Sequence, residues 1–158
     1  MNGGFEVSRN GLPVNWIMYT PNTVDNADFQ IVMDQKVFRE GRQSLRFDVN
    51  HCQGRGGRNA PGFTNEFSEV DRFRGAASYR VSFWVRNTGA DNMFSAGAVN
   101  LKKGDMRVLG HDDAEIKDWM EFAYTIDIPN EYWLRMQLNV CSPGALWVDD
   151  VQISKLER

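Results

Sequence analysis

The sequence predicts an all-β fold, an antiparallel β-sandwich or barrel, and three observations carry that expectation. About nine short segments alternate apolar and polar residues or run apolar, bounded by Gly, Pro, Asn or Asp. No amphipathic helix longer than two turns can be drawn along the chain. The residues are 42% hydrophobic and 12% aromatic, which suits a chain with a real core and excludes a disordered one. At 158 residues the chain fits one domain, and no linker, repeat or low-complexity tract divides residues 1–158.

Asn2 to Glu6 is a Gly-rich entry into a short strand, and Gly11-Leu12-Pro13-Val14-Asn15-Trp16 reads as a loop closing on a buried tryptophan. Thr20 to Asp28 is a turn region. Phe29 to Met33 alternates as a strand, and Glu40 to Gln43 is a turn. Ser44 to Asn50 is the cleanest alternation, with Leu45, Phe47 and Val49 inward and Arg46, Asp48 and Asn50 outward. Gln53 to Thr64, with Gly54, Gly56, Gly57 and Gly62, reads as a long loop, either plain surface or the rim of a binding site; its glycines match no phosphate-binding pattern. Asn65 to Phe73 is expected as a short strand or irregular edge.

Tyr79 to Arg86 is the central strand. Tyr79, Val81, Phe83 and Val85 point one way and Arg80, Ser82, Trp84 and Arg86 the other. Phe94 to Leu101, Met106 to Leu109 and Trp119 to Ile126 are further strands, with Asp112 to Asp118 an acidic loop between the last two. Tyr132 to Val140 places Leu134, Met136, Leu138 and Val140 inward and Trp133, Arg135, Gln137 and Asn139 outward. Leu146 to Ile153 is the last strand. Trp16 and Trp147 read as core or loop-packing residues, and Trp119 opens a strand expected on the other sheet.

Net charge is −3, with 18 basic and 21 acidic residues well mixed, so no electrostatic case exists for nucleic acid or an anionic membrane. No apolar run approaches the roughly 20 residues that span a bilayer. Met1-Asn2-Gly3-Gly4 leads straight into folded-looking sequence without a signal-peptide pattern, as in an excised or processed domain. Cys52 and Cys141 each end a strand and have no metal-site spacing; they form a disulfide if those strand ends are neighbours, and are otherwise free.

The outward residues of three strands share one design. If those strands lie in one sheet, Arg46, Asp48, Asn50, Arg80, Trp84, Arg86, Arg135, Gln137 and Asn139 make one surface of directional hydrogen-bonding groups around an aromatic platform. A sugar needs both, a ring for its C–H face and amides, carboxylates or guanidinium groups for its hydroxyl rim. The other outcome is a polar, internally paired face covered by loops. Catalysis has weaker support: Asp48 is the only carboxylate on that surface, and no paired-carboxylate, Ser-His-Asp or nucleophile-elbow pattern is present.

Six segments, in order, resemble a known family: Asn2-Gly3-Gly4-Phe5-Glu6, Gly11 to Trp16, Gly41-Arg42-Gln43-Ser44-Leu45-Arg46, Tyr79 to Arg86, the Trp119 strand, and Leu146-Trp147-Val148-Asp149-Asp150-Val151. They are similar to carbohydrate-binding modules of the galactose-binding-like jelly-roll superfamily, the CenC-like type attached to bacterial xylanases and cellulases. The resemblance implies a jelly roll of two antiparallel sheets with the first and last strands adjacent. It implies a non-catalytic module that holds a partner enzyme on a polysaccharide, outside the cell or in the periplasm. It places the ligand on the concave sheet, here expected at Trp84, Arg80, Arg86, Asp48, Asn50, Arg135, Gln137 and Asn139. It also implies a structural calcium at the chain ends, held by Glu6 and Asp149 with Asp150 as neighbour, where hard oxygen ligands suit the ion but two carboxylates are few. So many arginines depart from a neutral-glycan groove and point to an acidic glycan or to internal Arg–Asp pairing. A structural or protein-interaction module of the same fold and a small polysaccharide lyase or hydrolase are the alternatives.

Overall fold

The computed structural model describes residues 1–66 and 76–157. Twelve strands follow one another among them: β1 (Ser8–Arg9), β2 (Leu12–Pro13), β3 (Ile17–Tyr19), β4 (Asp28–Asp34), β5 (Ser44–His51), β6 (Gly62–Glu66), β7 (Ala77–Asn87), β8 (Asn92–Val99), β9 (Gly104–Asp112), β10 (Ile116–Ile128), β11 (Trp133–Val140) and β12 (Gly144–Lys155). The one helical element among the described residues is a 3-10 turn at Gly57–Asn59. β1 and β2 form a small hairpin. The rest build two five-stranded antiparallel sheets, sheet I in the order β10-β7-β12-β5-β4 and sheet II in the order β3-β6-β11-β8-β9. The fold is the expected all-β sandwich, a jelly roll.

Alternation sets which side chains meet between the sheets. Sheet I contributes Leu45, Phe47, Val49, Tyr79, Val81, Phe83, Val85, Leu146 and Val148; sheet II contributes Phe63, Phe94, Leu134, Met136, Leu138 and Val140, all buried. Trp16 is buried as expected, with its ring centroid 4.9 Å from Phe63 and 5.2 Å from Phe5. In a second cluster Phe94 stacks on Tyr124 and packs tilted against Phe83, each 4.9 Å away. Gly97 permits close strand approach, because a Cβ there would meet the Asp105 carbonyl of β9.

Three expectations need correction. The strands carrying Arg46, Trp84 and Gln137 do not share a sheet: β5 and β7 flank β12 in sheet I, whereas β11 lies between β6 and β8 in sheet II. Arg135, Gln137 and Asn139 therefore face away from Arg80, Trp84, Arg86, Asp48 and Asn50, on the opposite side of the sandwich. Alternation reads which way a side chain points within its strand, and it is the same for a strand of either sheet. Trp119 lies in β10, in the irregular stretch between the Ile116–Asn87 and Met120–Val85 pairs with β7, so it belongs to sheet I and not to the other sheet. Gly62 to Thr64, expected as loop, form the start of β6; of the segment expected at 65–73, Asn65 and Glu66 end that strand, and the rest lies outside the described residues.

The first and last strands are not sheet neighbours as expected: β1 pairs with β2, and β12 lies between β5 and β7; it is the segment before β1 that touches β12. Val151 donates its backbone N–H to the Gly3 carbonyl at 2.8 Å. A bulge in β12 makes room for this contact: Asp149 pairs with Trp84 and Gln152 with Ser82, leaving one extra residue, and Asp150 takes φ 49°.

Candidate functional site

The outer face of sheet I holds five of the eight residues expected to bind a ligand, and its own side chains engage most of them. Trp84 is in register with Asp149 on one side and Glu121 on the other. The Arg39 guanidinium stacks on its ring, 3.7 Å from the centroid, and is held there by Glu40 at 2.7 Å and Asp150 at 3.7 Å. Arg80 pairs with Glu121 at 3.0 Å, and Arg46 pairs with Asp34 at 2.6 Å and Asp48 at 3.1 Å. Asn50 donates to Asp28 at 3.3 Å. Trp147 also stands on this face, donating its indole N–H to Asp34 at 2.9 Å between Arg46 and Arg86. Burial pushes the Asp34 carboxyl up, but the bonds from Trp147, from the Lys36 and Val37 amides and from Arg46 outweigh it and hold it at about 2.

The segment covering Trp84 joins β4 to β5, and carboxylates fasten it. Asp149 is fully buried; its Oδ2 accepts the backbone N–H groups of Arg39 at 2.8 Å and Glu40 at 3.0 Å, and its Oδ1 that of Asp150 at 2.7 Å. Glu6 accepts the Arg42 amide at 2.9 Å and the Gln43 amide at 3.4 Å, and Gln43 donates in turn to the Phe5 carbonyl at 2.6 Å. Gly41 takes φ 68°, and a Cβ there would meet the Glu6 carboxylate. Burial raises the Asp149 pKa, and the three amides do not fully offset it. These two residues were the expected calcium ligands. Both carboxylates face N–H donors, whose positive ends repel a cation, and no cluster of three His, Cys, Asp or Glu exists among the described residues. In this arrangement the pair does not fit a calcium ion.

The outer face of sheet II has a different construction. Its central row is Thr64, Gln137 and Ser95 on β6, β11 and β8; the next row is Glu66, Arg135 and Gly97. Gly97, Ser95 and Thr64 are small, so Gln137 and Arg135 rise from a low floor. Tyr19 donates its hydroxyl to Gln137 Oε1 at 2.9 Å, and Gln137 Nε2 donates to Asn139 at 3.1 Å. Glu66 accepts from Arg135 through Oε1 and from the Trp133 indole through Oε2 at 2.8 Å. Burial raises the Glu66 carboxyl, but the Arg135 and Trp133 bonds and the Arg135 charge reverse that, so its pKa falls below the usual range. Half-buried Tyr19 and Trp133 thus border a fixed array of donors and acceptors.

Asn139, fully buried, belongs to this sheet but is used by the protein itself. It donates to the Gly57 carbonyl at 2.8 Å and accepts the Gly57 amide at 2.9 Å, docking the 53–61 loop beside the sheet II face. The same loop and strand ends hold Cys52 and Cys141 as free thiols. Cys52 lies 3.8 Å from the Val140 carbonyl, and burial, with Asp91 and Cys52 nearby, pushes the Cys141 thiol up to about 11.

Sequence reasoning missed Arg39, Tyr19, Glu66 and the outward setting of Trp147. The last was visible: Trp147 sits between Leu146 and Val148, both fully buried, so it must point outward. Tyr19 and Glu66 lie in or beside strands too short to alternate, and Arg39 reaches Trp84 from a distant turn.

Neither a protein-family model nor a curated protein matches the chain. Solved structures do. A CBM22 xylan-binding domain from Paenibacillus barcinonensis superposes with a TM-score of 0.67 at 14% identity, over 99% of this chain and 93% of that one. A CBM22–GH10 xylanase fragment of Clostridium thermocellum, complexed with xylohexaose, gives 0.66 at 15% identity over 89% of this chain. The enzymatically active domain of tailspike protein 4 from bacteriophage CBA120 gives 0.71 at 15% identity over 99% of this chain. The chain spans 26% and 21% of the length of those last two proteins. Its fold is the two-sheet jelly roll that the carbohydrate-binding modules among these structures share.

Proposed function

We propose that this chain is a non-catalytic carbohydrate-binding module that holds a polysaccharide on the outer face of sheet II and targets an associated enzyme outside the cell or in the periplasm. One observation carries the placement. The sheet II face presents Gln137, Arg135 and Glu66 above a floor of Thr64, Ser95 and Gly97, bordered by Tyr19 and Trp133. The expected platform, Trp84, has a guanidinium of the protein where a sugar ring would lie. Amide, guanidinium and carboxylate groups in a fixed network suit hydroxyl recognition, and the flanking rings suit C–H contact. A hydrolytic pair has no support here, because the residues in register with Glu66 are Arg135, Gly97 and Met106, none a carboxylate.

Xylan is the first ligand to test, since the Paenibacillus neighbour is a xylan-binding domain and the Clostridium fragment is complexed with xylohexaose. Affinity electrophoresis and calorimetry with soluble xylan, then with a wider glycan panel, measure binding. Gln137→Ala and Trp133→Ala should each weaken it about tenfold or more, and Trp84→Ala should stay within about twofold of wild type. No binding to any glycan, or loss on Trp84→Ala with Gln137→Ala unaffected, refutes the proposal.

A further inference from the structure

We propose a second sugar site on the opposite face, beside Trp147 on sheet I, selective for a uronate ring; it rests on the carbohydrate-binding reading but uses none of the same residues. Four arginines stand on this face. Arg39, Arg46 and Arg80 each have a carboxylate partner. Arg86 makes no ion pair among the described residues, and its guanidinium lies 5.5 Å from the Trp147 ring centroid.

The ring itself is fixed. Asp34 holds its N–H at 2.9 Å, and Arg46 flanks it from β5 as Arg86 does from β7. Beside it opens a recess of about 290 Å³, lined by Arg86, Thr88, Glu115, Ile116, Lys117 and Trp147. Arg86 and Lys117 outnumber Glu115 there, so the recess favours an anion although the whole chain is acidic. A guanidinium fork matches the two oxygens of a carboxylate. Arg46 and Arg86 stand 6.0 and 5.5 Å from the indole centroid, not stacked on it as Arg39 is on Trp84 at 3.7 Å, so the flat ring suits the C–H face of a pyranose, which a bare inorganic anion lacks. One sugar ring bearing a carboxylate satisfies both features together.

The test is calorimetry of the full chain at low ionic strength with tetragalacturonate, with its methyl ester, and with inorganic phosphate. The acid should bind; the ester should bind about tenfold more weakly or not at all, phosphate should not bind, and added NaCl should weaken the acid complex. Arg86→Gln and Lys117→Gln should each lower affinity for the acid about fivefold to tenfold with unchanged melting temperature. Gln137→Ala should leave it within about twofold of wild type while weakening xylan binding about tenfold or more. Absence of tetragalacturonate binding, equal binding of the ester or of phosphate, or wild-type affinity in both charge variants overturns the proposal. Glycan binding sensitive to Gln137→Ala without uronate binding refutes this site alone, and uronate binding sensitive to Arg86→Gln, with no glycan of the panel sensitive to Gln137→Ala, refutes the sheet II placement alone.

Discussion

Replacing Asp149 by alanine isolates what a buried carboxylate does at the junction of the chain ends. Three backbone N–H groups, of Arg39, Glu40 and Asp150, lose their acceptor at once. A hydrogen bond to a charged group is worth roughly 1.5–3 kcal/mol net. Two offsets apply. Burial already raises the Asp149 pKa, so removing the charge relieves a desolvation penalty. The freed turn can also take up water. A net loss of about 3 kcal/mol results, which for a chain of this size lowers the melting temperature by about 10 °C. Asp149→Asn keeps one acceptor oxygen and should lose about half as much. Calorimetric melts and urea unfolding measure both, and Trp84 fluorescence should change as Arg39 is released. Stability of the alanine variant within about 0.5 kcal/mol of wild type refutes the reasoning. In the same melts EDTA and added calcium should leave wild type unchanged; a calcium-dependent rise abolished by Asp149→Ala would show that the carboxylate serves a cation instead.

Three further outcomes are expected. The folded Asp34 carboxyl titrates near 2 against an ordinary 3.8, so the native state binds fewer protons than the unfolded chain; stability is present above pH 4 and falls by roughly 2 kcal/mol as pH drops from 4 to 2. Asp34→Asn should flatten that limb in acid unfolding curves. Asn139→Ala should cost about 2–3 kcal/mol in urea unfolding and expose the 53–61 loop to limited proteolysis, and a protease-resistant loop would contradict its docking role. Arg39→Ala should shift Trp84 emission without weakening xylan binding by more than about twofold, and a larger loss would move the glycan to sheet I.

The elements of this fold were largely legible, and their assembly was not. Leu45-Arg46-Phe47-Asp48-Val49 and Leu134 to Val140 alternate so cleanly that strand and inward face follow from the residues alone. Nothing in that alternation says that one strand joins β12 and the other β8, because both sheets bury the same kind of residue. The sheet II face was half legible: Arg135 and Gln137 were picked out as outward, but Tyr19 and Glu66, which tether them, come from three- and five-residue strands. Trp84 was correctly read as outward, and its cover came from a turn that only the folded chain brings near.

β12, the last strand, lies at the centre of sheet I between β5 and β7. Sheet I is therefore closed by the last of the described strands, and its inner pairings join segments far apart in sequence, a topology that folds slowly. Until β12 arrives, β5 and β7 each expose an unpaired edge beside apolar side chains meant for the core. A nascent or shortened chain ending before Gly144 is in that condition, with two adhesive edges and no strand to fill the gap. Such a fragment should aggregate, whereas adding β12 as a separate peptide offers a direct route to complementing it.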